Sequence, residues 1–127
     1  MSDHVNLNLS LKRTLSRQYR QAPPPAGVYV IRNLAEPGHL YLGASLNVDG
    51  AMNRDRFELK QKNHRHRSLM DAWTRHGADA LRFEIVDTVK RRDDPAFDPQ
   101  AELDALLTLW TEELGREATR LDVLSAR

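Results

Sequence analysis

Two β-forming segments joined by a short turn constrain this chain more than any other feature. From Gly27 to Asn33 the residues Val28, Tyr29, Val30 and Ile31 form an unbroken run of β-branched and aromatic side chains, which predicts a strand. Ala35, Glu36, Pro37 and Gly38 supply turn chemistry, and His39 to Gly43 predicts a second strand, so the two make a hairpin. Further on, Leu81, Phe83 and Ile85 alternate with Arg82 and Glu84, the period of a half-buried strand, and a third strand therefore closes a small sheet.

Helical periodicity accounts for most of the remainder. Leu11, Leu15 and Tyr19 recur at helical spacing among basic residues, and Pro23, Pro24 and Pro25 end that segment and stiffen the link after it. Asn47 to Gly50 reads as a turn into a helix reaching about Lys62. Arg67 to His76 places Leu69, Met70 and Trp73 on one helical face, with Gly77 as the C-cap. Leu103, Leu106, Leu107, Trp110 and Leu114 make an apolar stripe on a helix from Gln100 to Leu114. The last dozen residues carry no clear pattern. The expectation is an α+β fold, a three-stranded antiparallel sheet flanked by helices, with residues 1–25 as a basic helix and proline-rich link and 26–127 as the main domain.

At 127 residues the chain fits one core. It contains no cysteine, so thiolate zinc sites, cysteine nucleophiles and disulfides are excluded, and a cytoplasmic location is expected. No signal peptide or membrane span is evident. The formal net charge of +1 conceals an uneven distribution. Arg54, Arg56, Lys60, Lys62, Arg65, Arg67 and Arg75 make the middle basic, and Asp93, Asp94, Asp98, Glu102, Asp104, Glu112 and Glu113 make the later part acidic. Such asymmetry points to a polyanion-facing side, with Arg56, Lys60, Lys62, Arg65 and Arg67 as candidate nucleic-acid contacts; solvated basic helix faces explain the same charges equally well.

The hairpin presents Gly27-Val28-Tyr29 on one strand and Tyr41-Leu42-Gly43 on the other. Asn33, the Ser45-Leu46-Asn47 segment, His64, Trp73 to Gly77 and Phe83-Glu84-Ile85 follow in order, and with them the chain resembles the GIY-YIG nucleases from about Gly27 to Leu114. The resemblance implies hydrolysis of a DNA phosphodiester by water, normally with a divalent metal such as Mg²⁺ or Mn²⁺. It also implies that Tyr29 and Tyr41 line the site, ordering or deprotonating the water. The alternative for each tyrosine is a strand residue with its ring in the core and its hydroxyl at the surface.

Three family positions depart from the pattern. Ala51 stands where the family has an arginine, so Arg54, one turn on, is the candidate substitute, with Arg56 second; Arg54 and Glu58 equally suit an i,i+4 surface pair. Asp55 stands at the histidine position, or Glu58 does where Arg54 is taken as the arginine. Leu107 stands at the metal-binding glutamate, which leaves Asp104, one turn earlier, as the candidate ligand. His64 fits a later site position and suits a proton acceptor, or is a solvated loop histidine. A zinc pair of His64 and His66 lacks a third ligand at matching spacing. The expected catalytic set is thus Tyr29, Tyr41, Arg54 and His64. The leading expectation is a metal-dependent DNA endonuclease of low or context-dependent activity. Behind it stand a nuclease-like domain that binds nucleic acid without cutting and, third, a scaffold whose tyrosines only pack.

Overall fold

A computed structural model describes residues 24–124 of the chain. The basic helix expected between Leu9 and Tyr19 lies outside these residues. Strand β1 (Gly27–Asn33) and strand β2 (His39–Ser45) form the expected antiparallel hairpin, with Tyr29 opposite Gly43 and Ile31 opposite Tyr41. Gly38, at φ 94°, occupies the left-handed region that the turn requires and that a β-carbon disfavours. Asn33 accepts backbone N–H bonds from Ala35 at 3.0 Å and Glu36 at 3.1 Å, so its role is to shape this turn.

Helix α1 (Val48–Lys60) starts at Asn47, whose side chain caps the Gly50 N–H at 3.0 Å, and helix α2 (Arg67–His76) ends at Gly77 with φ 85°. A single 3₁₀ turn leads to strand β3 (Leu81–Thr88), which pairs antiparallel with β1. Asp98 caps helix α3 (Pro99–Glu117), with Pro99 in its first turn where the missing N–H costs nothing. Strand β4 (Arg120–Val123) then pairs in parallel with β2, giving a four-stranded sheet in the order β3-β1-β2-β4. The three-stranded sheet read from the sequence thus gains an edge strand from the stretch that carried no assignment. Leu121 and Val123 do alternate with Arg120 and Asp122, but four residues are too few for that period to be distinctive.

Helices cover both faces of the sheet, which explains the unbroken apolar run in β1. Tyr29, Ile31 and Tyr41 pack beneath α1 and α2 with Val48, Leu59 and Leu69. Val28, Val30, Leu40 and Leu42 pack on the other face against Leu103 and Leu114 of α3. A central strand buried on both sides has no polar face to show. Among the described residues no helix is long and apolar enough to cross a membrane.

Candidate active site

The face beneath α1 carries a buried polar cluster that the hydrophobic pattern alone does not require. Along α1 the buried positions are Val48, Met52, Asp55 and Leu59, so a carboxylate occupies a turn of the helix that otherwise packs apolar side chains on the sheet. Asp55 is 3% exposed, and a carboxylate at that depth needs donors. Two reach it from distant parts of the chain. The Tyr29 hydroxyl on β1 donates to Oδ2, and His64, on the loop between α1 and α2, lies with Nε2 2.8 Å from Oδ1.

The hydrogen bonds also set the histidine's tautomer. The His66 backbone N–H donates to His64 Nδ1 at 3.0 Å, so that nitrogen offers a lone pair and neutral His64 carries its proton on Nε2, aimed at Asp55. His66 repeats the device two residues along, its Nδ1 accepting from the Leu69 N–H at 3.3 Å as the N-cap of α2. Burial pushes the His66 imidazole below the ordinary histidine range, in keeping with that acceptor role.

Gly43 makes the position of Tyr29 possible. A β-carbon built on Gly43 would run into the Tyr29 ring, so the glycine opposite is the space the phenol occupies. A shift of register between β1 and β3 falls between Val28 and Tyr29, the kind of local irregularity that re-aims a side chain. Tyr29, Asp55 and His64 line a cleft of about 140 Å³ together with Ala51, Arg65 and His66. The small side chain of Ala51 leaves room where a longer residue would project.

The other candidates take varied places. Tyr41 is on the same sheet face, two positions along, and its hydroxyl meets Ser68 Oγ at 3.0 Å and the Ser68 carbonyl at 3.2 Å. Its ring lies 4.5 Å from that of His39, beside a separate polar depression lined by Glu36, Arg75, His76 and Arg120. Burial raises its pKa above the ordinary phenol value. Arg54 is exposed on α1 and does not line the cleft. Arg56 stacks its guanidinium on Phe83 of β3 at 4.3 Å. Lys60, Lys62, Arg65 and Arg67 are exposed and have no ion-pair partner among the described residues. The guanidinium at the cleft is therefore that of Arg65, from the loop rather than from α1. Asp55 is the member that sequence reasoning passed over as a departure; the acid within an otherwise apolar helical stripe is the signal that marks it.

Asp104 is on the exposed side of α3, where its carboxylate accepts from Gln100 Nε2 at 2.8 Å, and Leu107 packs with the Val28 face. Both belong to the helix layer on the far side of the sheet from Asp55. Near the cleft, Asp55, Glu58 and His64 offer ligand atoms within 4.8 Å of one another. The hydrogen bonds do not suit a divalent cation in that set. Ligation through His64 Nε2 would move the imidazole proton to Nδ1, where it would face the His66 N–H.

No family model matches the sequence, and no curated protein matches it. Solved structures do. The catalytic domain of the homing endonuclease I-TevI is 17% identical over 79% of this chain and 98% of that one, with a TM-score of 0.59. A mutant of the same catalytic domain, described as that of an intron endonuclease, is 18% identical over 72% and 84%, with a TM-score of 0.56. At that identity the likeness concerns the path of the backbone, and it agrees with the hairpin, the order of the helices and the mixed layers found here. This chain has a GIY-YIG-like fold.

Proposed function

We propose that this protein is a DNA endonuclease that hydrolyses a phosphodiester at the cleft beneath α1. The observation that carries the reading is the meeting of Tyr29 and His64, thirty-five positions apart in sequence, on the buried carboxylate of Asp55. A phenol backed by a proton acceptor is the equipment needed to take a proton from an attacking water. Arg65 at the rim supplies a positive group for the phosphate oxygens in the space that Ala51 leaves open. The exposed cations Lys60, Lys62 and Arg67 flank His64 and Arg65 along the chain and suit the phosphates on either side of the one attacked. The fold neighbours named above are nucleases, which supports DNA as the substrate class.

The test is nicking of supercoiled plasmid by wild type, Tyr29→Phe and Arg65→Ala. Loss of the phenolic proton should lower the rate by about a hundredfold, the lower range for a positioned acid or base. Arg65→Ala should slow nicking and flatten the salt dependence of binding by about one phosphate contact. Equal nicking by all three proteins removes both residues from the chemistry.

A second reading is a domain that binds nucleic acid without cutting it. Ala51 and Leu107, at the positions where the family carries arginine and glutamate, favour it. Under that reading the same exposed cations still give salt-sensitive binding, and neither variant alters a background level of nicking.

A further inference from the structure

From the hydrogen-bond pattern we infer that Tyr29, Asp55 and His64 form a metal-free proton relay in which Asp55 is the terminal acceptor. The inference rests on the hydrolytic reading above and specifies how the site works.

Each proton in the cluster has one place to be. The His66 N–H occupies Nδ1 of His64, so His64 can give a proton to Asp55 from Nε2 but has no lone pair to turn toward a cation. The Tyr29 hydroxyl gives its proton to the other oxygen of the same carboxylate. A divalent ion at the Asp55–Glu58–His64 group would therefore stand against a proton already directed at Asp55. Its charge would oppose the Nε2–H dipole, and its coordination bond would cost the tautomer that the loop backbone imposes. Two donors on one buried carboxylate arrange instead for a base held in place on both sides. His64 holds Oδ1, which orients the carboxylate and leaves Oδ2 facing the phenol.

The step balances without a further reagent. As the oxygen of water bonds to phosphorus and the bond from phosphorus to the leaving sugar oxygen breaks, a proton of that water passes to the Tyr29 oxygen. The phenol proton passes at the same time to Asp55 Oδ2. Because the phenol gives a proton as it accepts one, no free phenolate is needed. The leaving oxygen takes a proton from bulk water, and the hydroxide so formed recovers the proton from Asp55 after the product departs. The guanidinium of Arg65 supplies the charge against the phosphate oxygens. In this arrangement His64 is a positioning residue and Asp55 a catalytic one.

Two experiments on the full chain test this. The first is plasmid nicking with EDTA, Mg²⁺ or Mn²⁺ by wild type, Asp55→Asn and Glu58→Gln. The expected result is a wild-type rate that agrees within about twofold in all three conditions, a loss of about a hundredfold in Asp55→Asn, and little change in Glu58→Gln. The second reads the site without activity: ¹⁵N spectra of the histidine rings during addition of Mn²⁺ and Mg²⁺. His64 should show a protonated Nε2 and an unprotonated Nδ1, with neither broadening by Mn²⁺ nor a change of tautomer with Mg²⁺. Nicking that needs a divalent ion and fails in Glu58→Gln, or Mn²⁺ broadening of His64 at sub-millimolar concentration, overturns the relay. Unaltered nicking by Asp55→Asn overturns the relay while leaving hydrolysis at the cleft intact. Absence of nicking in every condition overturns the hydrolytic reading itself, and the relay with it.

Discussion

Adding one methyl group at Gly43 is expected to dislodge Tyr29 and destabilise the protein far more than an alanine in a strand ordinarily would. The new β-carbon would overlap the end of the Tyr29 ring, which is 4% exposed and packed beneath α1 with Met52 and Leu124. Either the strands separate or the ring turns away. Forcing an extra carbon into a packed core costs about 1–3 kcal/mol, and turning the ring removes a donor from the buried Asp55 carboxylate, about 1–2 kcal/mol more. A total near ~3 kcal/mol corresponds to a fall in Tm of about 12 °C for a chain of this size. Urea denaturation of wild type, Gly43→Ala, Tyr29→Ala and the double variant measures the coupling directly. With the ring gone, alanine at position 43 has nothing to strike, and its effect should shrink to within about 0.5 kcal/mol of zero, since alanine suits a strand better than glycine. A coupling energy of roughly 3 kcal/mol is therefore expected. Equal destabilisation by Gly43→Ala in both backgrounds refutes the claim that the glycine exists to make room for the phenol.

Other substitutions separate the roles of Tyr41, His66 and Ala51. Tyr41→Phe removes the Ser68 contacts and should cost about 1 kcal/mol of stability, while plasmid nicking stays at the wild-type rate, because its hydroxyl bonds Ser68 and Tyr41 does not line the cleft. His66, held below the ordinary histidine range by burial, binds fewer protons folded than unfolded, so its contribution is fully present above about pH 6.5 and fades as the pH falls through its folded value. The urea midpoint should accordingly drop between pH 8 and pH 5.5, and His66→Asn, which caps the helix without titrating, should flatten that slope. Glu36, lowered by hydrogen bonds from His39 and His76, keeps its contribution until the pH falls below the ordinary carboxylate range, so it does not confuse this window. Ala51→Arg places a guanidinium in the cleft and should tighten binding of a short DNA duplex, with a salt dependence steeper by about 0.9 per phosphate gained; unchanged affinity counts against the cleft as the phosphate site.

Local chemistry made much of this protein legible without coordinates. The β-branched run Val28 to Ile31, the Pro37-Gly38 turn, the Gly77 cap and the stripe from Leu103 to Leu114 each act through neighbours a few residues away, so each is written in the sequence over a short window. Tyr29 and His64 became candidates through the resemblance to the GIY-YIG nucleases, which rests on motifs in order along the chain. What the tertiary structure alone decided depends on contacts between distant segments. β4 exists because the free edge of β2 accepts it, and four residues cannot announce that. Arg65 takes the place at the cleft because α1 turns Arg54 to solvent and Arg56 onto Phe83, a matter of helix rotation against the sheet. Asp104 is removed from the site because α3 packs on the opposite face. Asp55 gains its partners because the β1 strand and the loop after α1 are brought to the same point beneath the helix, and no spacing along the chain encodes a meeting of that kind.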